Sequence, residues 1–99
     1  EDQPMFIVML SYIKPIEEID ALMAGHVAWL RRHYKTGLFI ASGRKVPRVG
    51  GVILARGGNR AELEQALATD PFVVHRAATL EITEFTPSMT APGAELLKS

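Results

Sequence analysis

The sequence predicts a single α+β domain whose strands and helices follow the order βαββαβ. Three patterns indicate this: residues 5–13 are apolar on both strand faces, residues 16–34 repeat apolar side chains at helical spacing, and residues 79–85 alternate. A chain of 99 residues, 47% hydrophobic and 22% charged, has the size and composition of one globular domain. A domain this small leaves much apolar surface uncovered, so association with a second copy is expected.

The first strand and the first helix are the clearest elements. Met5–Ile13 is apolar at both parities, which predicts a central strand covered on both sides. After Pro15, apolar side chains follow helical spacing from Ile16 to Tyr34, with acids early and bases late, as the helix dipole favours. Gly37 is expected to end this helix.

The second half of the chain predicts a hairpin, a short helix and a last strand. Asn59 and Glu62 have the spacing of a capping box, and Asp70-Pro71-Phe72 is expected to begin a further turn or short helix. In chain order we expect a strand at 38–42, a loop at 43–50, a strand at 51–56, a helix from Asn59 that ends before Pro71, and a strand at 79–85.

This order of elements predicts a ferredoxin-like fold. With right-handed crossovers it folds most simply as an antiparallel four-stranded sheet with both helices on one face and the first and third strands at its centre. The opposite face then exposes one parity of the first strand, an apolar patch larger than a monomer normally has. We therefore expect a homodimer formed through the sheet faces.

The domain is expected to span residues 5–87. Residues 1–4 precede the apolar pattern and are interpreted as an N-terminal stub. Residues 88–99 lose periodicity, which predicts a flexible C-terminal tail in which Leu96-Leu97 could dock on a partner.

Composition argues against several classes of partner. Eleven basic and eleven acidic residues cancel, so no bulk charge attracts nucleic acid or an anionic membrane surface. The third strand lacks the stacking aromatics of an RNA-recognition domain, and the apolar run Met5 to Leu10 is too short to span a bilayer. The chain has no cysteine, which removes disulfides and cysteine-ligated zinc and fits a cytoplasmic location.

No cofactor or metal is expected from the motifs. His26 and His33 would lie about 10.5 Å apart along a helix that rises 1.5 Å per residue, too far to share one ion. Gly57-Gly58 before a helix could cradle a phosphate, but there is no Gly-Lys-Ser/Thr element and a tight turn explains the pair.

His26 and Asp70 are the candidate catalytic residues. His26 falls on the apolar stripe of the first helix, where it is either a core histidine with a hydrogen-bond partner or a general acid or base. Gly25 beside it indicates close packing or the approach of a ligand. Asp70 before Pro71 has the pattern of a helix N-cap, and alternatively it could orient an imidazole.

Ser42 and Arg44 are the candidate substrate-binding residues. Ser42-Gly43-Arg44 ends the second strand and presents a hydroxyl, a permissive backbone and a guanidinium together. Ser42 lacks the sequence context of a nucleophile elbow, which argues against nucleophilic catalysis. Arg44, Lys45 and Arg48 form either a solvated hairpin or a group that steers a small carboxylate or phenolate toward the sheet end.

Several short motifs occur in the order and spacing of a known family. They are Phe6-Ile7-Val8, His26, Ala41-Ser42-Gly43, Gly50-Gly51-Val52-Ile53-Leu54 and Asp70-Pro71-Phe72. Together they resemble the YCII-related (YciI-like) family of small bacterial proteins over residues 5–87.

The resemblance implies a fold, an assembly and an activity. It implies a dimeric ferredoxin-like α+β barrel with a His–Asp active site, which falls on His26 and Asp70. It also implies a relation to cofactor-independent lyases, including dehydrochlorinase-like enzymes that act on chlorinated hydroxyquinols. Many relatives have proline after the glycine that ends strand two, where this chain has Arg44.

The leading hypothesis is a cofactor-independent lyase or isomerase that moves a proton on a compact phenolic or carboxylated metabolite. His26 would move the proton, Asp70 would orient the ring, and Ser42 with Arg44 would hold the substrate. One alternative is a dimeric ligand-binding or accessory module without turnover. Another is a scaffold in which His26 and Asp70 are structural, and the same side chains serve all three.

Overall fold

The chain folds into four antiparallel strands and three α-helices over the residues that the computed structural model describes, 3–57 and 59–98. In chain order they are β1 (Met5–Tyr12), α1 (Ile16–Lys35), β2 (Phe39–Arg44), β3 (Gly50–Arg56), α2 (Arg60–Leu67), α3 (Pro71–Val74) and β4 (Ala78–Phe85). Of the predicted segments, residues 1 and 2 of the stub, Gly58 of the turn and Ser99 of the tail lie outside the described residues.

The strand order β2-β3-β1-β4 confirms the predicted ferredoxin-like sheet, with the first and third strands at its centre. β1 runs antiparallel to both neighbours, and Val8 faces Ile53 on one side and Ile82 on the other. The core on this face includes Phe6, Val8, Leu10, Ile19, Trp29, Leu63 and Leu67. Because α1 and α2 both contribute to this core, they cover the same face of the sheet.

The end of α1 has the predicted form. Gly37 follows the helix with a φ of +87°, a left-handed conformation that glycine adopts at little cost. The Leu38 amide donates to the His33 carbonyl at 3.1 Å and closes the last turn. At the other end Pro15 provides no side-chain cap. Glu17 and Glu18 lie in the first turn, where negative charge interacts favourably with the helix dipole.

β2 differs from the prediction in a way that positions polar side chains. It starts one residue later and runs two residues further, to Arg44. An irregularity between Phe39 and Ala41 shifts the register, so that Ser42 faces Ile53. Since Ile53 belongs to the core, Ser42 and Arg44 lie on the helix-covered face of the sheet. Strand spacing alone could not predict this, because one extra residue reverses the face of every later side chain.

The single turn of α3 packs closely against α1. A Cβ added to Gly25 would lie 3.3 Å from Cγ of Pro71, tighter than an ordinary van der Waals contact. Gly25 therefore marks close packing, one of the two roles that the sequence allowed. This packing brings the first residues of α3 beside His26, one position along α1.

The opposite face of the sheet is apolar and partly covered within one chain. Ile7 and Met9 of β1 pair with Leu54 and Val52 of β3, and all four side chains are half-buried. Met5 on the same face is 3% exposed. This face is therefore less open than the sequence predicted, and it lies opposite the face that α1 and α2 cover.

The segment after β4 contains more local structure than its lost periodicity predicted. Pro87 is buried, and a 3₁₀ turn spans Glu95–Lys98. Leu96 in that turn is 53% exposed. Within the described part of the chain, no helix is both long enough and apolar enough to cross a membrane.

Candidate functional site

His26 and Asp70 meet although 44 residues separate them in the sequence. The distance between His26 Nδ1 and Asp70 Oδ1 is 2.8 Å, and the exposed fractions of the two side chains are 12% and 0%. This is a hydrogen-bonded pair with a fully buried carboxylate. Such a carboxylate orients an imidazole and stabilises positive charge on it.

The Asp70 side chain accepts a second hydrogen bond besides the one from His26. Its Oδ1 also accepts the Phe72 amide at 3.0 Å, so Asp70 is the N-cap of α3, with Pro71 in the first turn. The capping role and the imidazole contact, posed as alternatives by the sequence, are therefore combined in one side chain. Its other oxygen, Oδ2, is buried without a hydrogen-bond partner. The carboxylate thus accepts hydrogen bonds from the Phe72 amide and the His26 imidazole, and of these two donors the imidazole is ionisable.

Two aromatic rings fix the plane of the His26 imidazole. Phe72 stacks on it with a centroid distance of 4.2 Å and an interplanar angle of 18°, and Trp29 lies 5.5 Å away. The Trp29 indole in turn donates to Ala66 O and Thr69 Oγ1, both at 3.0 Å. The segment that ends in Asp70 is therefore tied to the helix that carries His26.

The two nitrogens of His26 have different surroundings. A carboxylate can only accept, so Nδ1 carries the hydrogen that binds Asp70, and the neutral ring has its lone pair on Nε2. Nε2 has no hydrogen-bond partner among the described residues and is not among the fully buried polar atoms. Since His26 lines a cavity, Nε2 is available to a molecule bound there.

The cavity next to His26 has a volume of about 410 Å³ and lies between α1 and the sheet. Small-molecule sites commonly fall between about 300 and 1,000 Å³. The apolar residues in its lining include Leu10, Met23, Val27, Leu30, Ile53 and Phe72. No carboxylate lines it among the described residues, and its charged side chains are Arg44 and Arg48. The cavity is suited to a molecule with an apolar body and an anionic group.

The other predicted site residues lie in the same cavity. Ser42 and Arg44 both line it, because the register of β2 places them on the helix-covered face. The Ser42 hydroxyl is hydrogen-bonded to the Tyr34 hydroxyl at 2.6 Å. Sequence reasoning assigned Tyr34 to the apolar stripe of α1 and missed this contact. Its position on the same stripe as His26 was the available signal.

A salt bridge beside the cavity was also missed. Arg48, in the loop between β2 and β3, donates to Asp20 of α1 at 2.6 Å. This hydrogen bond with Asp20 raises the pKa of the Arg48 guanidinium, and the Tyr12 hydroxyl contributes in the same direction. Asp20 is one of the acids early in α1 and Arg48 a base of the hairpin loop, so no local signal joined them.

The described residues offer no group of three or more histidine, cysteine or acidic side chains that could hold a metal ion. His33 faces Trp29 and Phe39, with ring centroids 5.3 and 5.1 Å away, and is separate from the cavity lining. Gly57 adopts a φ of +126°, which agrees with a turn that glycine favours.

A family model described as the YCII-related domain matches residues 5–86, which confirms the resemblance drawn from the sequence. No curated protein matches the chain.

Solved structures share the fold. SnoaB, a cofactor-independent oxygenase from Streptomyces nogalater, aligns with TM-scores of 0.55 and, for a point mutant, 0.53, both at 20% identity. Each alignment covers 93% of this chain and 99% of SnoaB. A dimeric ferredoxin-like protein from an uncultured marine organism aligns with a TM-score of 0.53 at 18% identity, over 92% of this chain and 100% of that one. At these identities the likeness establishes the fold alone.

Proposed function

The chain belongs to the YCII-related domain family, and we propose that it is a small cofactor-independent enzyme that transfers a proton on a compact phenolic or carboxylated metabolite. The observation that carries this proposal is the His26–Asp70 pair, with its 2.8 Å hydrogen bond on one ring nitrogen and a cavity at the other. Imidazole titrates near neutrality, which suits it to both accept and return a proton.

The proposed step begins at Nε2 of His26. This atom takes a proton from a C–H or O–H group of the bound molecule, and the electron pair stays on the molecule as an enolate or phenolate. Asp70 stabilises the imidazolium that forms, and the Arg44 guanidinium, with Ser42, holds the anionic group. In an isomerisation the proton then returns to another atom. In an elimination the electron pair forms a new double bond, and the leaving group departs with the two electrons of the bond that breaks.

Two further observations support chemistry without a cofactor. A structure with this fold is described as a cofactor-independent oxygenase. In addition, the proposed step is an acid–base reaction that the side chains of the cavity can perform by themselves.

The proposal is tested by hydrogen–deuterium exchange. The protein is incubated in D₂O with a panel of phenols, hydroxy acids and keto acids, and loss of each carbon-bound proton is followed by ¹H NMR. General acid–base catalysis commonly contributes about 10²- to 10⁴-fold, so exchange on an accepted compound should exceed the buffer rate at least about 100-fold. His26→Gln should abolish it. His33→Gln is the matched control, since His33 lies on the same helix outside the cavity lining, and it should retain the exchange.

The outcomes separate the candidate functions. Equal exchange in His26→Gln and His33→Gln would exclude His26 as the base. Binding without exchange on any compound would favour the ligand-binding module, which needs the cavity and not the proton acceptor. Neither binding nor exchange would favour a scaffold in which the pair is structural.

The proposed enzyme acts as a homodimer assembled through the sheet face opposite α1 and α2. Ile7, Met9, Val52 and Leu54 form a contiguous apolar patch there and are half-buried within one chain. Burial of such side chains by a second copy is favourable in proportion to the apolar area removed from water. A ferredoxin-like structure with the same fold is described as dimeric.

Sedimentation velocity at micromolar concentration tests the dimer. The wild-type protein should sediment as a dimer, and Met9→Lys should yield monomers because a charge is placed at the centre of the patch. Val74→Lys is the control, since Val74 is an exposed apolar residue of α3, and it should leave the dimer intact. A wild-type monomer would contradict the proposal.

A further inference from the structure

The two arginines of the cavity have different partners. Arg48 is bound to Asp20 at 2.6 Å, so its charge is already compensated. The Arg44 guanidinium has no hydrogen bond or ion pair with any described residue, although Arg44 lines the same cavity. The cavity therefore has two guanidinium groups and one uncompensated positive charge.

We propose that Asp20 is a specificity-determining residue, which neutralises Arg48 and thereby restricts the cavity to singly charged anions bound by Arg44. This inference rests on the proposed function, because it concerns the ligand of the same cavity. It goes further in assigning the charge of that ligand and in naming a residue outside the cavity lining as its determinant.

The charges account for the expected selectivity. A monoanion with an apolar ring pairs with Arg44 while its body contacts side chains such as Met23, Val27 and Phe72. A second carboxylate would have to compete with Asp20 for Arg48 or lose its hydration without a partner. No other positive side chain lines the cavity among the described residues, apart from His26 when it is protonated. Lys45 is instead hydrogen-bonded to Ser11 at 3.1 Å.

The test uses three benzene derivatives of increasing charge: benzamide, benzoate of nearly the same shape, and isophthalate, which adds a second carboxylate. Their dissociation constants are measured by NMR titration at low ionic strength in the His26→Gln background, which removes both the proposed base and any charge on its ring. Asp20→Asn frees Arg48 from its partner. Glu17→Gln is the matched control, because it removes the same charge from the first turn of α1 at a residue outside the cavity lining.

The expected pattern has three parts. Benzoate should bind about tenfold more tightly than benzamide, and Arg44→Gln should remove that difference. In the parent protein, which is His26→Gln without a second substitution, isophthalate should bind no more tightly than benzoate. In Asp20→Asn, isophthalate should bind about three- to tenfold more tightly than in the parent, with a smaller gain for benzoate, and 0.5 M salt should reduce both gains.

Three results would overturn the inference. One is an equal change in isophthalate binding in Asp20→Asn and Glu17→Gln, which would indicate bulk charge. The second is tighter binding of isophthalate than benzoate by the parent protein. The third is failure of both anions to bind more tightly than benzamide. Because the background lacks His26, charge selectivity can hold even if proton transfer fails, so the two proposals fail separately.

Discussion

His26 and His33 lie on the same side of α1, on either side of Trp29, and they differ in the charged groups near each ring. Both rings contact the Trp29 indole, at centroid distances of 5.5 and 5.3 Å. His26 also has the buried carboxylate of Asp70 at 2.8 Å, whereas no described carboxylate pairs with His33. Aromatic packing alone therefore does not distinguish the two histidines, and the buried acid does.

The difference has an electrostatic consequence for each ring. At His33, burial lowers the pKa of the imidazole, and the positive charge of Arg32 lowers it further. At His26, a proton taken up on Nε2 is compensated by the carboxylate bonded to Nδ1. The surroundings of His33 thus disfavour a charged ring, whereas those of His26 contain a carboxylate that stabilises one.

The largest expected effect comes from removing the indole that both rings share. Trp29 is fully buried, so Trp29→Ala should lower the free energy of unfolding by about 3–5 kcal/mol, measured by urea denaturation. Trp29→Phe should cost less, because it keeps a ring between the histidines and loses the indole hydrogen bonds to Ala66 and Thr69. A loss below about 1 kcal/mol for Trp29→Ala would mean that the core can repack without it.

A second effect isolates the acid that distinguishes His26. Asp70→Ala removes an N-cap, worth about 0.5–2 kcal/mol, and also deprives the partly buried His26 imidazole of its acceptor, worth up to about 1–3 kcal/mol. Asn59→Ala is the matched control, since Asn59 caps α2 through Ala61 and Glu62 without an imidazole partner. Urea denaturation should show the larger loss in Asp70→Ala. Equal losses would reduce Asp70 to a cap.

A third experiment changes the pair without deleting it. In Asp70→Asn the amide oxygen can still accept both the Phe72 amide and the hydrogen on Nδ1, so the contact is kept while the buried negative charge is lost. Long-range ¹H–¹⁵N NMR correlations should therefore report the Nδ1–H tautomer of neutral His26 in both proteins. The exchange activity should fall, because the imidazolium formed during proton transfer loses its compensating charge. Unchanged exchange in a variant with this tautomer would show that the charge of Asp70 is not needed.

The smallest effect concerns His33 and acid stability. Because its pKa is lowered in the folded protein, the unfolded chain binds a proton first as the pH falls through the ordinary value of 6.5. The free energy of unfolding should therefore decrease below that pH, with a slope of at most about 1.4 kcal/mol per pH unit, until the folded ring is also protonated. His33→Gln should have a shallower slope in urea melts from pH 7.5 to 5. Identical slopes would assign the acid sensitivity to other groups.

The spacing of apolar residues determined the fold class and the order of the strands, but it did not identify Trp29, the largest fully buried side chain of the core. A run that is apolar at both parities identified β1, and a period of two identified β4. A helical period identified α1, and Gly37 and Asn59 marked helix ends that the structure contains. These features depend on neighbours close in the sequence, so one chain is enough to predict them. The motifs also determined the family.

Tertiary structure decided which of the candidate side chains meet. The approach of α3 to Gly25 brought Asp70 to His26, and an irregularity in β2 turned Ser42 and Arg44 toward the cavity. The partners of Tyr34, Arg48 and His33 were decided in the same way. Periodicity gives the face of an element on which a residue lies, but the distance between faces depends on register and close packing. Register and close packing therefore decided the geometry of the candidate site at His26.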